Sequence, residues 1–456
     1  MASTYLSRTT GTPTSAKKFT ISGWFKLAFT DTSDHQFFQT YHDGNNREHM
    51  YFSSNDLRFY CVDGGSTAAY LQTKRKFRDI NAWYHIVIAC DTTQGTASNR
   101  MKMYINGVQE TDFVTETYPA QDFTFRLNTN AQSIVIGRYM GSNDFYYDGI
   151  ISHFHFIDGT QYAASDFGSF DNTTGEWKIN TSPNVTYGNN GWFIFKDNAS
   201  VTDQSGVGNN WTTTAGTLTK TEDNPSNIFC TLNPLQEPDP AQAAEYTFGN
   251  TKFAGNWNHW QRAYGTIGAN TGKFYYEFKC LNDDGTAGHL RVGWDSIDNI
   301  NDGQDSYYSG LTLDKEGKLR GGILGYNNYD PNSVQMTAAH SGGNFSFTAN
   351  DILGMAIDID NNTFSVYKNG NLEINAYSYA SNSNCSLLKS KGHFIAPSVN
   401  WYSASGNGSR SCFNFGNGYF ETTAVSSAGT NASNLGIFEY DVPTGYTAWC
   451  TKGLNE

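Results

Sequence analysis

Short apolar runs bounded by Gly, Asn and Asp recur along the chain, and helical three-to-four spacing is almost absent. In the first part they include Phe19-Thr-Ile-Ser-Gly-Trp-Phe-Lys-Leu, Trp83-Tyr-His-Ile-Val-Ile-Ala-Cys, Met101-Lys-Met-Tyr-Ile, Ser133-Ile-Val-Ile-Gly and Gly149-Ile-Ile-Ser-His-Phe-His-Phe. A second series holds Gly272-Lys-Phe-Tyr-Tyr-Glu-Phe-Lys-Cys, His289-Leu-Arg-Val-Gly-Trp, Asp351-Ile-Leu-Gly-Met-Ala-Ile-Asp, Thr363-Phe-Ser-Val-Tyr-Lys and Cys412-Phe-Asn-Phe-Gly. β-Branched and aromatic residues between turn formers predict strands of all-β sandwiches. Asn106-Gly107 marks a tight hairpin turn. The pattern predicts two antiparallel β-sandwich domains, at 1–170 and 250–416. A loop-rich connector at 171–249 joins them, stiffened by Pro234-Leu-Gln-Glu-Pro-Asp-Pro, and a tail with few apolar runs covers 417–456. Trp24, Ile86, Ile88, Tyr104 and Ile136 are expected to point into the first core. Tyr276, Phe278, Val292, Ile357, Phe364, Val366 and Phe413 are expected to fill the second. Helix should stay below roughly a tenth of the chain.

Composition agrees with this picture. Aromatic residues reach 15 % and charged residues only 16 %, so a disordered chain is excluded. With 43 acidic against 30 basic residues, the net charge of −13 argues against a nucleic-acid partner. The basic cluster Lys74-Arg-Lys-Phe-Arg78 reads as a solvated loop. No apolar run is long enough for a membrane span, and Met1 to Arg8 carry no apolar core of a secretory signal. The seven cysteines form no Cys-x-x-Cys pair and are expected to be reduced, buried thiols of a protein made in a cytoplasm.

Catalytic patterns are missing. A sandwich glucanase needs Glu-x-Asp-x-x-Glu on one strand, so that nucleophile and acid project together. Here Glu277 stands alone on its strand, and no Gly-x-Ser-x-Gly, His-Glu-x-x-His or Walker loop occurs. No enzymatic activity is expected. His153 and His155 share a strand face but have no third ligand nearby for zinc. The loop Asp298-Asn-Ile-Asn-Asp-Gly-Gln-Asp305 gathers hard oxygen donors, and Asp298, Asp302 and Asp305 are calcium candidates; the spacing does not fit an EF-hand. No other cofactor is expected. Sugars offer C–H faces to aromatic rings and hydroxyls to amides and carboxylates. Loops mixing these groups are therefore glycan-binding candidates: Trp257 and Trp260, Phe145 and Tyr146, Tyr326 and Tyr329, and Trp401 and Tyr402.

Phe19-Thr-Ile-Ser-Gly-Trp, Trp83-Tyr-His-Ile-Val, Tyr104-Ile-Asn-Gly and Ile136-Gly-Arg together resemble the laminin-G-like branch of the concanavalin A-like lectin/glucanase superfamily. In the second block Tyr276-Glu-Phe, Val292-Gly-Trp, Asp351-Ile-Leu-Gly, Phe364-Ser-Val-Tyr-Lys-Asn-Gly and Phe413-Asn-Phe-Gly resemble a SPRY domain. These resemblances imply the jelly-roll form of the sandwich. The layout also resembles virion structural proteins of tailed, especially marine, bacteriophages. The carrying pieces are Tyr5-Leu-Ser-Arg-Thr, Asp203-Gln-Ser-Gly-Val-Gly-Asn-Asn-Trp, Asp223-Asn-Pro-Ser-Asn, Thr231-Leu-Asn-Pro and Pro443-Thr-Gly-Tyr-Thr-Ala-Trp-Cys-Thr-Lys. That resemblance implies a non-enzymatic virion structural or adhesion protein: a tail fibre, receptor-binding tip or head-surface appendage. Its partners would be other virion proteins, a host surface glycan and further copies of itself. The alternatives are a glycan-degrading sandwich enzyme and a SPRY-type protein-interaction module.

Overall fold

The computed structural model describes residues 3–197, 200–236, 244–255, 261–282, 289–297, 310–320, 334–340, 342–380, 394–401, 410–426 and 429–455. The chain forms two compact units, one of residues 1–220 with 224–226, the other of 221–223 with 227–456. Strands make up 49 % and helix 4 %, so the structure is all-β as the apolar pattern predicts.

In the first unit an eight-stranded antiparallel sheet runs, edge to edge, Phe113–Thr117, Ser66–Thr73, Asp56–Asp63, Asn46–Ser53, Asp34–Asp43, Ser133–Ile136, Tyr5–Thr9 and Thr212–Ala215. A six-stranded sheet runs Trp192–Ile194, Gly149–Asp158, Lys18–Leu27, Trp83–Asp91, Met101–Ile105 and Val108–Gln109. Phe38, Met50, Phe59 and Leu71 of the larger sheet share a core with Phe19, Phe25, Ile86, Ile88 and Met103 of the smaller. Because side chains alternate along a strand, the intervening residues must face outward.

Two inward assignments fail on this alternation. Trp24 and Tyr104 lie on the outer face of the smaller sheet. Trp24 stacks on His85 at 4.9 Å, and Tyr104 packs against Val87, Ala89, Ile157 and Phe167. The continuous apolar run Ile86-Val-Ile-Ala-Cys is apolar because both of its faces are buried, so period alone could not assign a side. What covers the outer face is the end of the expected first domain and the start of the expected connector. Tyr162 from the former and Trp177, Val185 and Tyr187 from the latter lie over it, and the Trp177 ring sits where a Cβ on Gly107 would come within 2.3 Å. Asn106 and Gly107 both take positive φ, 46° and 81°, as a tight hairpin demands. Only glycine there leaves room for the tryptophan.

The region 171–249 therefore supplies sandwich, as well as loop. Trp192–Ile194 and Thr212–Ala215 extend the two sheets, and Trp192 and Trp211 enter the core with rings 5.0 Å apart. The Asp203-Gln-Ser-Gly-Val-Gly-Asn segment wraps its first residue. The Asp203 carboxylate accepts from the N–H groups of Phe193, Ser205, Gly208 and Asn209 at 2.8–3.0 Å. Three cations of the basic cluster are paired, Lys74 with Asp112, Arg75 with Glu110 and Lys76 with Asp56, around a buried Phe77.

In the second unit the larger sheet runs Glu245–Thr247, Lys252–Ala254, Arg410–Asn414, Lys273–Asn282, Ile352–Asp358, Thr363–Lys368 and Asn371–Ser378, with Thr447–Ala448 pairing parallel to Lys273–Asn282. The smaller runs Gln261–Tyr264, Ile395–Trp401, Leu290–Ser296, Leu311–Asp314, Lys318–Arg320 and Val334–Gln335. Tyr276, Phe278, Val292, Ile357, Phe364, Val366 and Phe413 all lie in one core, the placement their alternation predicts. The region 417–456 is more than a tail. Trp449 is fully buried and stacks on Phe274 at 4.4 Å. Phe438, Val442 and Cys450 cover Tyr275 and Ala356 on the outer face of the larger sheet. Those anchors are scattered singly, so no apolar run announces them.

Candidate functional site

Most of the aromatic-loop candidates, Trp257, Trp260, Tyr326, Tyr329 and Tyr402, lie outside the described residues, as do Asp298, Asp302 and Asp305. No group of three metal-binding side chains occurs among the described residues. Trp401 is a correction. It pairs with Leu290 and Gln261 on the second strand of the smaller sheet of its unit and has no exposed surface. The inward phase of its strand puts the ring in the core, out of reach of any glycan.

Phe145 and Tyr146 lead somewhere. Tyr139 N–H donates to the carbonyl of Asp144 at 2.8 Å, and Gln36 N–H to that of Phe145 at 3.0 Å, which folds residues 137–147 over the end of the larger sheet. Phe145 is 39 % exposed and held at φ 53°, a conformation a bulky residue adopts only when its surroundings impose it. Its ring meets Tyr139 at 6.2 Å, and Tyr139 in turn stacks on His49 at 5.6 Å.

His49 opens onto the outer face of the eight-stranded sheet. The strand register sets Gln39, His49, Tyr60, Tyr70 and Thr117 side by side across five strands. Beside them run Gln36, Tyr51, Arg58, Gln72 and Thr115, and on the other flank Tyr41, Arg47 and Val62. Tyr60 and Tyr70 stand 4.9 Å apart, both half-buried. Arg47 lies over Tyr60 at 5.6 Å, Arg58 over Tyr51 at 5.7 Å, and Arg138 over Tyr5 at 3.6 Å. A guanidinium above a ring is held by the ring's negative face. The result is a surface of aromatic rings with cations and amides between them.

The electrostatics of this face are uneven. Arg58 is paired with the buried carboxylate of Asp56 at 2.7 Å. Arg47 and Arg138 have no ion pair among the described residues, and the Nε of each is buried without a hydrogen-bond partner. His49 donates from Nδ1 to Gln36 Oε1 at 3.3 Å, which leaves Nε2 a bare acceptor. Burial, helped by the adjacent Arg47, lowers its pKa to about 3, so it stays neutral. Gln39 donates its amide to the Arg138 carbonyl, and its Oε1 is likewise unpartnered. Buried polar atoms are ordinarily satisfied. Four such atoms lie beneath this face without a partner among the described residues.

Elsewhere the reactive groups are spent on structure. Ser22 Oγ lies 2.9 Å from His85 Nε2, the contact of a nucleophile with its base. However, Trp177 Nε1–H donates to His85 Nδ1 at 3.0 Å, so the imidazole proton must sit on Nε2 and point at the serine. A base needs the opposite tautomer. Glu48 accepts from the backbone N–H groups of Arg126 and Leu127 at 2.6 and 2.8 Å. Glu277 accepts from the N–H groups of Glu439 and Tyr440 and from Asn414 Nδ2, all at 2.9 Å. Burial raises both carboxyls to about 7. Each ties a distant segment to its sheet.

Residues 2–165 match the profile of the third laminin-G group, in the concanavalin A-like lectin/glucanases superfamily. The first unit has the concanavalin A-like fold. Its aromatic face is the outer surface of the larger sheet of that jelly roll. Among solved structures, similarity extends to the SPRY domain of human HERC1, at 18 % identity over 40 % of this chain and 96 % of that one, with a TM-score of 0.28. It also extends to a heptameric SAP-like pentraxin of Limulus polyphemus, at 16 % identity over 35 % and 71 %, with a TM-score of 0.26. No curated protein matches.

Proposed function

We propose that this chain is a non-enzymatic adhesion protein of a tailed-bacteriophage virion, and that the outer face of its first unit binds host surface glycans. The observation that carries the glycan reading is the row of His49, Tyr60 and Tyr70, flanked by Arg47 and Gln39. Half-buried tyrosine rings on the outer face of a sheet can accept the C–H faces of sugars, and the terminal guanidinium nitrogens beside them suit hydroxyl groups. The virion reading rests on the phage-like order of short motifs from Tyr5-Leu-Ser-Arg to the Pro443 segment. A shallow polar site holds one sugar weakly. Repetition of the protomer around a symmetric particle raises avidity without new contacts, so the protein is expected to work as a homo-oligomer.

The test combines glycan-array binding by the purified protein with mass spectrometry of purified phage particles. The expected result is glycan capture that is lost in Tyr60→Ala and Tyr70→Ala, while the melting temperature stays near that of the wild type. Peptides of this chain should appear in the particles. Release of new reducing ends from a bound polysaccharide, abolished by changing a carboxylate, would put the protein in the glycan-degrading class instead.

A further inference from the structure

We propose that the ligand of this face is an anionic polysaccharide, its carboxylate or sulfate groups held by Arg47 and Arg138. The inference deepens the glycan reading and rests on it. Three arginines lie against tyrosines here, but only Arg58 has a carboxylate partner. Arg47 and Arg138 make no side-chain hydrogen bond among the described residues, so their terminal nitrogens, on half-buried side chains, remain for a ligand. A guanidinium presents a planar fork that matches the two oxygens of a carboxylate or sulfate. Two separate uncompensated cations lying over rings suit an acidic polymer better than a neutral one, which would leave both charges uncompensated.

The net charge of the chain sharpens the argument. At −13 it repels a polyanion as a whole, so such a polymer can be held only where local cations outweigh the general field.

The experiment measures binding of the full chain to alginate, dextran sulfate and neutral dextran by biolayer interferometry at rising NaCl. Wild type is compared with Arg47→Gln, Arg138→Gln and Tyr60→Ala. Alginate or dextran sulfate should bind with an affinity that falls as salt rises, and dextran should bind far more weakly. Which of the two charged polymers binds identifies the acid group as carboxylate or sulfate. Each arginine variant should weaken that binding by roughly 10-fold or more, the usual effect of removing a hydrogen bond to a charged group. Neither arginine is hydrogen-bonded in the fold and each variant loses only its contact over a tyrosine ring, so the melting temperature should fall by no more than a few degrees. Dextran bound as tightly as the charged polymers, with Arg47→Gln and Arg138→Gln unchanged and Tyr60→Ala defective, would overturn the anionic class and keep the face. Charged-polymer binding undiminished in Tyr60→Ala would overturn the face itself. Binding to none of the three polymers would overturn both.

Discussion

Replacing Glu277 tests how the second unit holds its C-terminal segment. The side chain has no exposed surface, and its oxygens accept from two backbone N–H groups and one amide at 2.9 Å. In Glu277→Ala those three donors lose their acceptor. A buried donor left unpaired costs about 1–3 kcal/mol, so three cost roughly 3–9 kcal/mol, and water entering the gap pulls the figure toward the lower end. That is comparable with the whole stability of a typical domain, about 5–15 kcal/mol. Glu277→Gln is milder and more informative, because it fills the same space and cannot ionise. Burial raises the carboxyl from its ordinary 4.5 to about 7, so between those values the folded chain keeps a proton that the unfolded chain has lost. The stability this group provides is therefore complete below about pH 4.5 and declines as pH rises through 7. The decline amounts to roughly 3 kcal/mol at 1.36 kcal/mol per pH unit. For a unit of this size it corresponds to about 6–12 °C in melting temperature. Scanning calorimetry of wild type and Glu277→Gln at about pH 5 and pH 8 should show a wild-type advantage that narrows by this amount toward high pH. An advantage that stays constant or widens would refute the reasoning.

Two further outcomes follow from burial. Trp449→Ala, which removes a fully buried ring stacked on Phe274, should destabilise the second unit by about 3–5 kcal/mol and leave the melting of the first unit in place, as read by calorimetry. Cys61, Cys90 and Cys412 are free and buried, so a thiol reagent should label them slowly in the native protein and completely once it is denatured without reductant.

The second core was legible residue by residue because its strands alternate. In Phe274-Tyr-Tyr-Glu-Phe the even positions are core and the odd ones, Tyr275 and Glu277, face outward. Legibility stopped where a second layer covers a sheet. Phe438, Val442 and Trp449 are separated by polar residues and enter the structure through side-chain packing and one two-residue parallel pairing. No local period encodes such contacts. The Glu277 carboxylate that fastens them reads in sequence as a lone acid on a strand, because its partners, the N–H groups of Glu439 and Tyr440, are backbone and distant.

The proposed face carries a different kind of signal from the loop candidates. An aromatic residue next to Asn does not by itself mark a loop: Trp401, next to Asn400, is a core ring. The proposed face lies mainly on strands between residues 34 and 73, and its signal is a phase. In Asp56-Leu-Arg-Phe-Tyr-Cys, Leu57, Phe59 and Cys61 are core, which puts Arg58 and Tyr60 on the other side. In Asn46-Arg-Glu-His-Met-Tyr-Phe the same reading sends Met50 and Phe52 inward and Arg47, His49 and Tyr51 outward. Tyrosines that fall on the polar phase of a strand, opposite a complete apolar phase, are not needed for the core. When two adjacent strands both place Tyr and Arg on that phase, the strand register brings them together as one surface. The uncompensated cations of Arg47 and Arg138 then add a local positive charge that composition, acidic overall, would not suggest.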